Sequence, residues 1–169
     1  MIGAFAGSFD PPTVGHEDTI RRAAAVFEEV IVLVASNSLK HNLLEPERRV
    51  ELLKAICADL KNVRVELCPG LTVESAKAAG ANVLIRSMRN PSDYEGEAAN
   101  AWANTKLDSG MDTVFLLGDP AYSMISSTTV REFLKYHQSI ESMVPRCVFE
   151  ALQPELAHSQ SANSDLQIG

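Results

Sequence analysis

Short runs of β-branched and apolar residues recur along this chain, and stretches with helical spacing separate them. That alternation restricts the fold more than any other feature of the sequence. Ile2–Ala6, Val30–Ala35, Val63–Leu67, Ala81–Ile85 and Thr113–Leu117 read as five strands. Val30–Ala35 is apolar throughout, as expected of a strand covered on both faces. Between the strands, Gly15–Phe27 carries Ile20, Ala23, Ala24 and Phe27 at helical spacing. Pro46 suits the first turn of a helix running to about Leu60, with Val50, Leu53 and Ile56 or Cys57 inward. Thr72–Ala79 is a short helix stopped by Gly80, and a longer helix covers about Asp93 to Leu107. Ser127–Lys135 has Thr129 and Glu132 at capping-box spacing, and Pro145–Leu152 is a last short helix. Strands separated by helices predict an α/β, doubly wound (Rossmann-like) five-stranded parallel sheet with helices on both faces. The expected domain covers residues 1–155, and the polar, unpatterned residues 156–169 are expected to form a disordered tail.

In such folds ligands bind beyond the carboxyl ends of the strands, and the unusual residues of this chain fall there. They are Gly7 to His16 after strand one, Asn37 to Asn42 after strand two, Arg86 and Arg89 after strand four, and Gly118 to Ser127 after strand five. In the first segment, Gly7 allows the backbone to approach a ligand, and the amides of the following helix can receive phosphate oxygens. His16 would face the same space, although a tight strand-to-helix turn alone would also account for the glycine. Lys40, His41, Arg86 and Arg89 could neutralise several phosphate charges at once, or could be solvated loop cations. Ile125-Ser126-Ser127-Thr128 offers hydroxyls and free amides at a helix start, which serves an anion or an ordinary cap equally well. Trp102 is expected to pack, and His137 to lie at the surface past a helix end.

Composition limits the partners. A net charge of −7 over 169 residues gives no basic footprint for nucleic acid, while leaving room for a local phosphate pocket. The three cysteines, Cys57, Cys68 and Cys147, are odd in number and far apart, so neither a disulfide framework nor a zinc site is expected. No apolar run approaches the roughly 20 residues that span a bilayer. Met1-Ile2-Gly3-Ala4-Phe5 lacks a basic segment before its apolar residues and reads as a strand rather than a signal peptide. A cytoplasmic protein with no membrane partner is expected.

Thr13-Val14-Gly15-His16, preceded by Gly7-Ser8-Phe9-Asp10-Pro11, resembles the signature of the HxGH nucleotidyltransferase superfamily, in the form carried by the bacterial phosphopantetheine adenylyltransferases. The resemblance continues through Asn37 and Lys40, Pro46–Leu60, Gly80-Ala81-Asn82-Val83, Arg86, Arg89, Ser92-Asp93-Tyr94-Glu95, Thr113–Leu116 and Tyr122–Thr128, and stops near Glu155. It implies transfer of an adenylyl group from ATP to 4′-phosphopantetheine, giving dephospho-coenzyme A and pyrophosphate, a step of coenzyme A biosynthesis. Two alternatives are a nicotinate or nicotinamide mononucleotide adenylyltransferase and a non-catalytic nucleotide-binding paralogue.

By this resemblance His16, Thr13 and Lys40 are catalytic, and Ser8, Lys40, Thr72 and Arg86 hold the acceptor. ATP falls to Ser8, Phe9, His16, Ser87, Met88, Arg89, Glu97 and the segment Tyr122, Ser123, Met124, Ile125, Ser126, Ser127 and Thr128. Mg²⁺ is expected to arrive on the ATP phosphates, with no metal ligands supplied by the protein, and a homo-oligomer, hexameric by resemblance, is implied. The cytidylyl-transferring branch carries Arg-Thr-Glu-Gly-Ile-Ser-Thr-Thr in the last segment, and its absence argues for ATP over CTP. Departures from the usual pattern fall where the adenine is expected, in the acceptor pocket and on the long helix that in the family lies near subunit contacts. Ser87-Met88 replaces Gly-Leu, Thr72 replaces Leu or Met, and Gly96, Ala98, Asn100 and Thr105 replace larger or basic residues.

Overall fold

A computed structural model describes residues 1–35, 42–107 and 110–153. Its five strands are β1 (Ile2–Gly7), β2 (Glu29–Ala35), β3 (Val63–Cys68), β4 (Val83–Met88) and β5 (Asp112–Leu117). All neighbours pair in parallel, in the order β3-β2-β1-β4-β5. The helices are α1 (Val14–Val26), α2 (Pro46–Ile56), α3 (Thr72–Ala78), α4 (Asp93–Leu107) and α5 (Ser127–Lys135), with α6 over 146–153. A 3-10 turn, Pro120–Tyr122, precedes α5.

Successive side chains of a strand point to opposite faces, and the two cores follow from that rule. Phe5, Val30, Val32, Val34 and Ile85 face one side, where Ile20 and Ala23 of α1, Leu52 and Leu53 of α2, Val130 of α5 and Val148 of α6 cover them. Ala4, Ala6, Ile31, Leu33 and Leu84 face the other, against Val73 and Ala76 of α3. The small alanines of β1 let that second layer sit close. The sheet is therefore doubly wound, as its sequence pattern predicts.

The strand order reverses between β1 and β4. Their pairing runs only from Gly3↔Val83 to Phe5↔Ile85, whereas β1 and β2 stay paired as far as Gly7↔Val34. Beyond Phe5 the first and fourth strands part, which opens a crevice at the switch point.

Several local readings shift. Helix α2 ends at Ile56 rather than near Leu60, because the following turn turns Asp59 outward to accept from Arg21 of α1 at 2.7 Å. Its buried set is Arg49, Leu52, Leu53 and Ile56, with the expected Val50 packed half-buried against the same core and Cys57 buried just beyond the helix. The cap of α5 is Ser126, whose hydroxyl accepts from the Thr129 amide at 3.0 Å, so Thr129 and Glu132 do not form a capping box. Strand β4 runs on to Met88, placing Arg86 and Ser87 on the strand itself. Gly80, at φ 88°, closes α3 as expected. Trp102 is 68% exposed, since α4 turns small residues inward and buries only Ala98 fully. His137, half-buried at φ 57°, occupies the left-handed position after α5.

Candidate active site

A cleft of about 270 Å³ opens where β1 and β4 diverge. Its floor is Phe5, Ala6 and Gly7 of β1. One wall is Ser8, Phe9, Thr13, Gly15, His16 and Thr19, and the other is Arg86, Ser87, Arg89 and Glu97, with Ile125, Ser126 and Ser127 closing the end.

The start of α1 fixes its histidine. Thr13 is the N-cap, and His16 stands three residues on, where a capping box normally carries Glu or Gln. The Thr13 hydroxyl accepts from the His16 amide at 3.3 Å, and the Thr13 amide donates back to His16 Nδ1 at 3.0 Å. An Nδ1 that accepts must be unprotonated, so the proton of the neutral ring sits on Nε2. Desolvation in the cleft wall, and secondarily the charge of Arg89, lower the His16 pKa from 6.5 to about 4. The ring is thus a neutral hydrogen-bond donor at ordinary pH.

Phe9 holds that ring from the side. It is fully buried, and its ring meets His16 edge-on at 5.0 Å and Phe5 at 5.4 Å between centroids. Gly7 permits this arrangement, because a Cβ there would lie 3.2 Å from the Phe9 ring. Phe9 itself sits at φ 48°, a left-handed conformation that an aromatic residue keeps only when its surroundings enforce it. The enforcement is visible. The buried Asp10 carboxylate accepts from the amides of Leu43 and Leu44, each at 2.8 Å, and Ser127 Oγ donates to the Pro11 carbonyl at 2.8 Å. Arg131 reaches the Asp10 carbonyl from α5.

On the opposite wall Glu97 grips Arg86 in a fork, Oε2 to Nε at 2.5 Å and Oε1 to Nη2 at 2.8 Å. Arg86 Nη1 also donates across the gap to the Ala6 carbonyl at 3.1 Å. A guanidinium has five N–H donors, so these three bonds leave two for a ligand. Arg89 Nη1 donates to the Ile125 carbonyl at 3.2 Å and ties the end of β4 to the segment entering α5. There the Ser126 cap takes the Thr129 amide and leaves those of Ser127 and Thr128 at the positive end of the helix dipole.

Of the residues singled out in the sequence, Ser8, Phe9, Thr13, His16, Arg86, Ser87, Arg89, Glu97, Ile125, Ser126 and Ser127 meet at this cleft. Met88, Tyr122, Ser123, Met124 and Thr128 do not line it. Thr72 lines a second cavity of about 270 Å³, with Asn100 and Asn104, which shares Ala6 and Arg86 with the first. Lys40, like Asn37 and His41, lies outside the described residues. Ser87 Oγ meets the Thr19 hydroxyl at 3.1 Å, so the serine that replaces the usual glycine is held by α1.

Arg49 and Asp10 hold the site from below; from the sequence, Arg49 had no assigned role and Asp10 stood only as part of the motif around His16. Arg49 had one detectable signal: with Leu52, Leu53 and Ile56 it falls on a helical stripe that is otherwise apolar. Among the described residues no group of three or more His, Cys, Asp or Glu could hold a metal ion, and no helix is long and apolar enough to cross a membrane.

The cytidylyltransferase-like family model matches residues 4–133. A phosphopantetheine adenylyltransferase of Desulforudis audaxviator is 46% identical over 144 residues, 85% of this chain and 88% of that protein. Its counterpart from Treponema pallidum is 41% identical over 159 residues, 94% of this chain and the whole of that protein. Among solved structures, a Vibrio parahaemolyticus protein named for nicotinate-nucleotide adenylyltransferase superposes with a TM-score of 0.67 over 92% of this chain and 93% of its own. At 18% identity that likeness speaks for the fold alone. The sequence likeness runs nearly end to end in chains of similar length, and the Thr13–His16 cap stands at the mouth of the switch-point cleft: this chain belongs to the phosphopantetheine adenylyltransferases.

Proposed function

We propose that the chain transfers the adenylyl group of MgATP to the phosphate of 4′-phosphopantetheine and releases pyrophosphate. One observation carries the reading: a neutral imidazole, fixed in the Nε2–H form by the Thr13 amide, faces a cleft bordered by the Ser8–Phe9 loop, two arginines and a helix amino-terminus. An acceptor phosphate oxygen forms a bond to the α-phosphorus, while the bond from that phosphorus to the pyrophosphate oxygen breaks and its electron pair leaves with pyrophosphate. The nucleophile is already an anion, so no general base is required. Charge gathers on the α-phosphoryl oxygens, where His16 Nε2–H donates, and preorganised donors of this kind supply much of the acceleration in acyl and phosphoryl transfers. Thr13 holds the imidazole, and the free amides of α5 receive the outgoing phosphates.

Arg86 serves the acceptor, held by Glu97 between the two cavities, and the second cavity takes the acceptor's arm beside Thr72. Arg89 and Lys40 add positive charge for the phosphates, which repel one another on approach. Glu97 is engaged by Arg86 and Asp10 by two backbone amides, so the nucleotide phosphates are the natural ligands for Mg²⁺ and the metal enters with its substrate. We assign the protein to the cytoplasm and to a homo-oligomeric, by resemblance hexameric, state.

Pyrophosphate release from MgATP, with and without 4′-phosphopantetheine, tests the reaction. Acceptor-dependent release is expected, falling by about 10²-fold or more in His16→Ala, the loss typical of one transition-state donor. Release with nicotinate mononucleotide but not with 4′-phosphopantetheine would replace the acceptor assigned here.

A further inference from the structure

Among the described residues Arg49 is the largest fully buried side chain, and it is a cation. Among the described residues no carboxylate pairs with it. Its Nη1 donates to two main-chain carbonyls, Ser8 at 2.5 Å and Ala35 at 3.1 Å, which are the chain segments leaving β1 and β2. Its Nε and Nη2, shut off from solvent, have no partner among the described residues. Burying a guanidinium with unmet donors is costly, and a fold that needed only packing here would carry an apolar residue on this stripe.

The bond to Ser8 accounts for the expense. Ser8 and Phe9 share a trans peptide, in which the carbonyl and the N–H point in opposite directions. Arg49 lies beneath the cleft and is no part of its lining. With the Ser8 carbonyl drawn down to Arg49, the Phe9 N–H is turned away from it, and that N–H has no partner among the described residues. The same peptide leads into the left-handed Phe9, a conformation that would relax without the anchor.

We propose that Arg49 is a positioning residue for the reaction: by holding the Ser8 carbonyl it aims the Phe9 amide, beside His16, at the oxygen that gains charge on the α-phosphoryl group. The proposal rests on the adenylyl-transfer reading given above. The second bond of Arg49, to the Ala35 carbonyl, ties the last residue of β2 to the same side chain, so one guanidinium joins two strand ends.

The test uses the full chain and the variants Arg49→Met, Arg49→Lys and Leu53→Ala, the last a buried apolar control on the same helix. Steady-state pyrophosphate release gives kcat and the KM for MgATP, thermal melting gives the folded fraction, and the ¹H shift of the Phe9 amide is followed as MgATP is added without acceptor. Arg49→Met, folded at the assay temperature, is expected to lose about 10- to 100-fold in kcat, the scale of a displaced oxyanion donor, and to lose the shift of its Phe9 amide. Arg49→Lys, with a shorter stem and one point of attachment, should fall between. Leu53→Ala should melt earlier yet keep kcat per folded molecule and the amide shift. A Phe9 amide that responds to MgATP in the Arg49 variants as in the wild type overturns the proposal. So does a wild-type kcat in either folded variant, or a loss in Leu53→Ala equal to that in Arg49→Met. Where Arg49→Met does not fold, Arg49→Lys decides. If the wild type releases no pyrophosphate with the acceptor, the reaction assigned above fails, and the amide shift alone judges Arg49.

Discussion

His16 does two jobs with one ring: Nδ1 completes the cap of α1 and Nε2 presents the donor. Its pKa of about 4 places the site in its working form across neutral pH, so no activity step centred near 6.5 should come from this residue. The same shift has a stability signature. The unfolded histidine titrates near 6.5 and the folded one near 4, so between these values the unfolded state binds the proton and stability falls as pH falls. Urea unfolding at pH 7 and pH 5 should show the wild type losing about 2 kcal/mol more than His16→Gln over that interval. An equal loss in both proteins would mean that the ring is not held neutral. The motif containing His16 was legible because Thr13, Gly15 and His16 stand at the spacing of a known family signature just after the first strand. The roles of Arg49 and Asp10 were not, since their partners are main-chain groups of segments distant along the chain, and no local pattern announces which carbonyl a buried guanidinium will meet.

The helices and strands were legible for the opposite reason: apolar periodicity is local, and each element declared itself. What periodicity left uncertain was phase and ending. Helix α2 buries Arg49 beside the expected Val50, Leu53, Ile56 and Cys57, which a hydrophobic stripe cannot foresee when a cation supplies hydrogen bonds there. Helix α5 is capped at Ser126, three residues before the expected Thr129, because Ser126 Oγ also meets the Thr129 hydroxyl at 2.8 Å. At its other end the chain turns through His137 at φ 57°, with the Gln138 amide donating to the Phe133 carbonyl and the His137 amide to that of Leu134. Glycine fits that position without steric cost, and the His137 Nδ1 is buried there without a partner among the described residues. His137→Gly should therefore raise stability by about 1 kcal/mol in chemical denaturation, with kcat unchanged; a less stable variant would show that the imidazole contributes packing that the strain conceals.

At the scale of the whole molecule, α4 leaves its largest side chain on the outside. Trp102 stands 68% exposed, where packing was expected from its size. The expected packing is met if a second copy covers it, as the proposed homo-oligomer supplies. Sedimentation of the wild type should give a mass above that of one chain, and Trp102→Glu should lower it while leaving the far-UV circular dichroism of the fold in place. A monomeric wild type would end that assignment. The parting of β1 from β4 beyond Phe5↔Ile85 has a consequence for how the protein comes into being. One wall of the cleft belongs to the first 19 residues and the other to residues 86–127, so the two are made far apart in time as the chain is synthesised. A nascent chain that has already paired β1 with β2 still has no cleft. Nucleotide cannot help such a half-made protein to fold, and it becomes a stabilising ligand only when the last strands have closed the sheet.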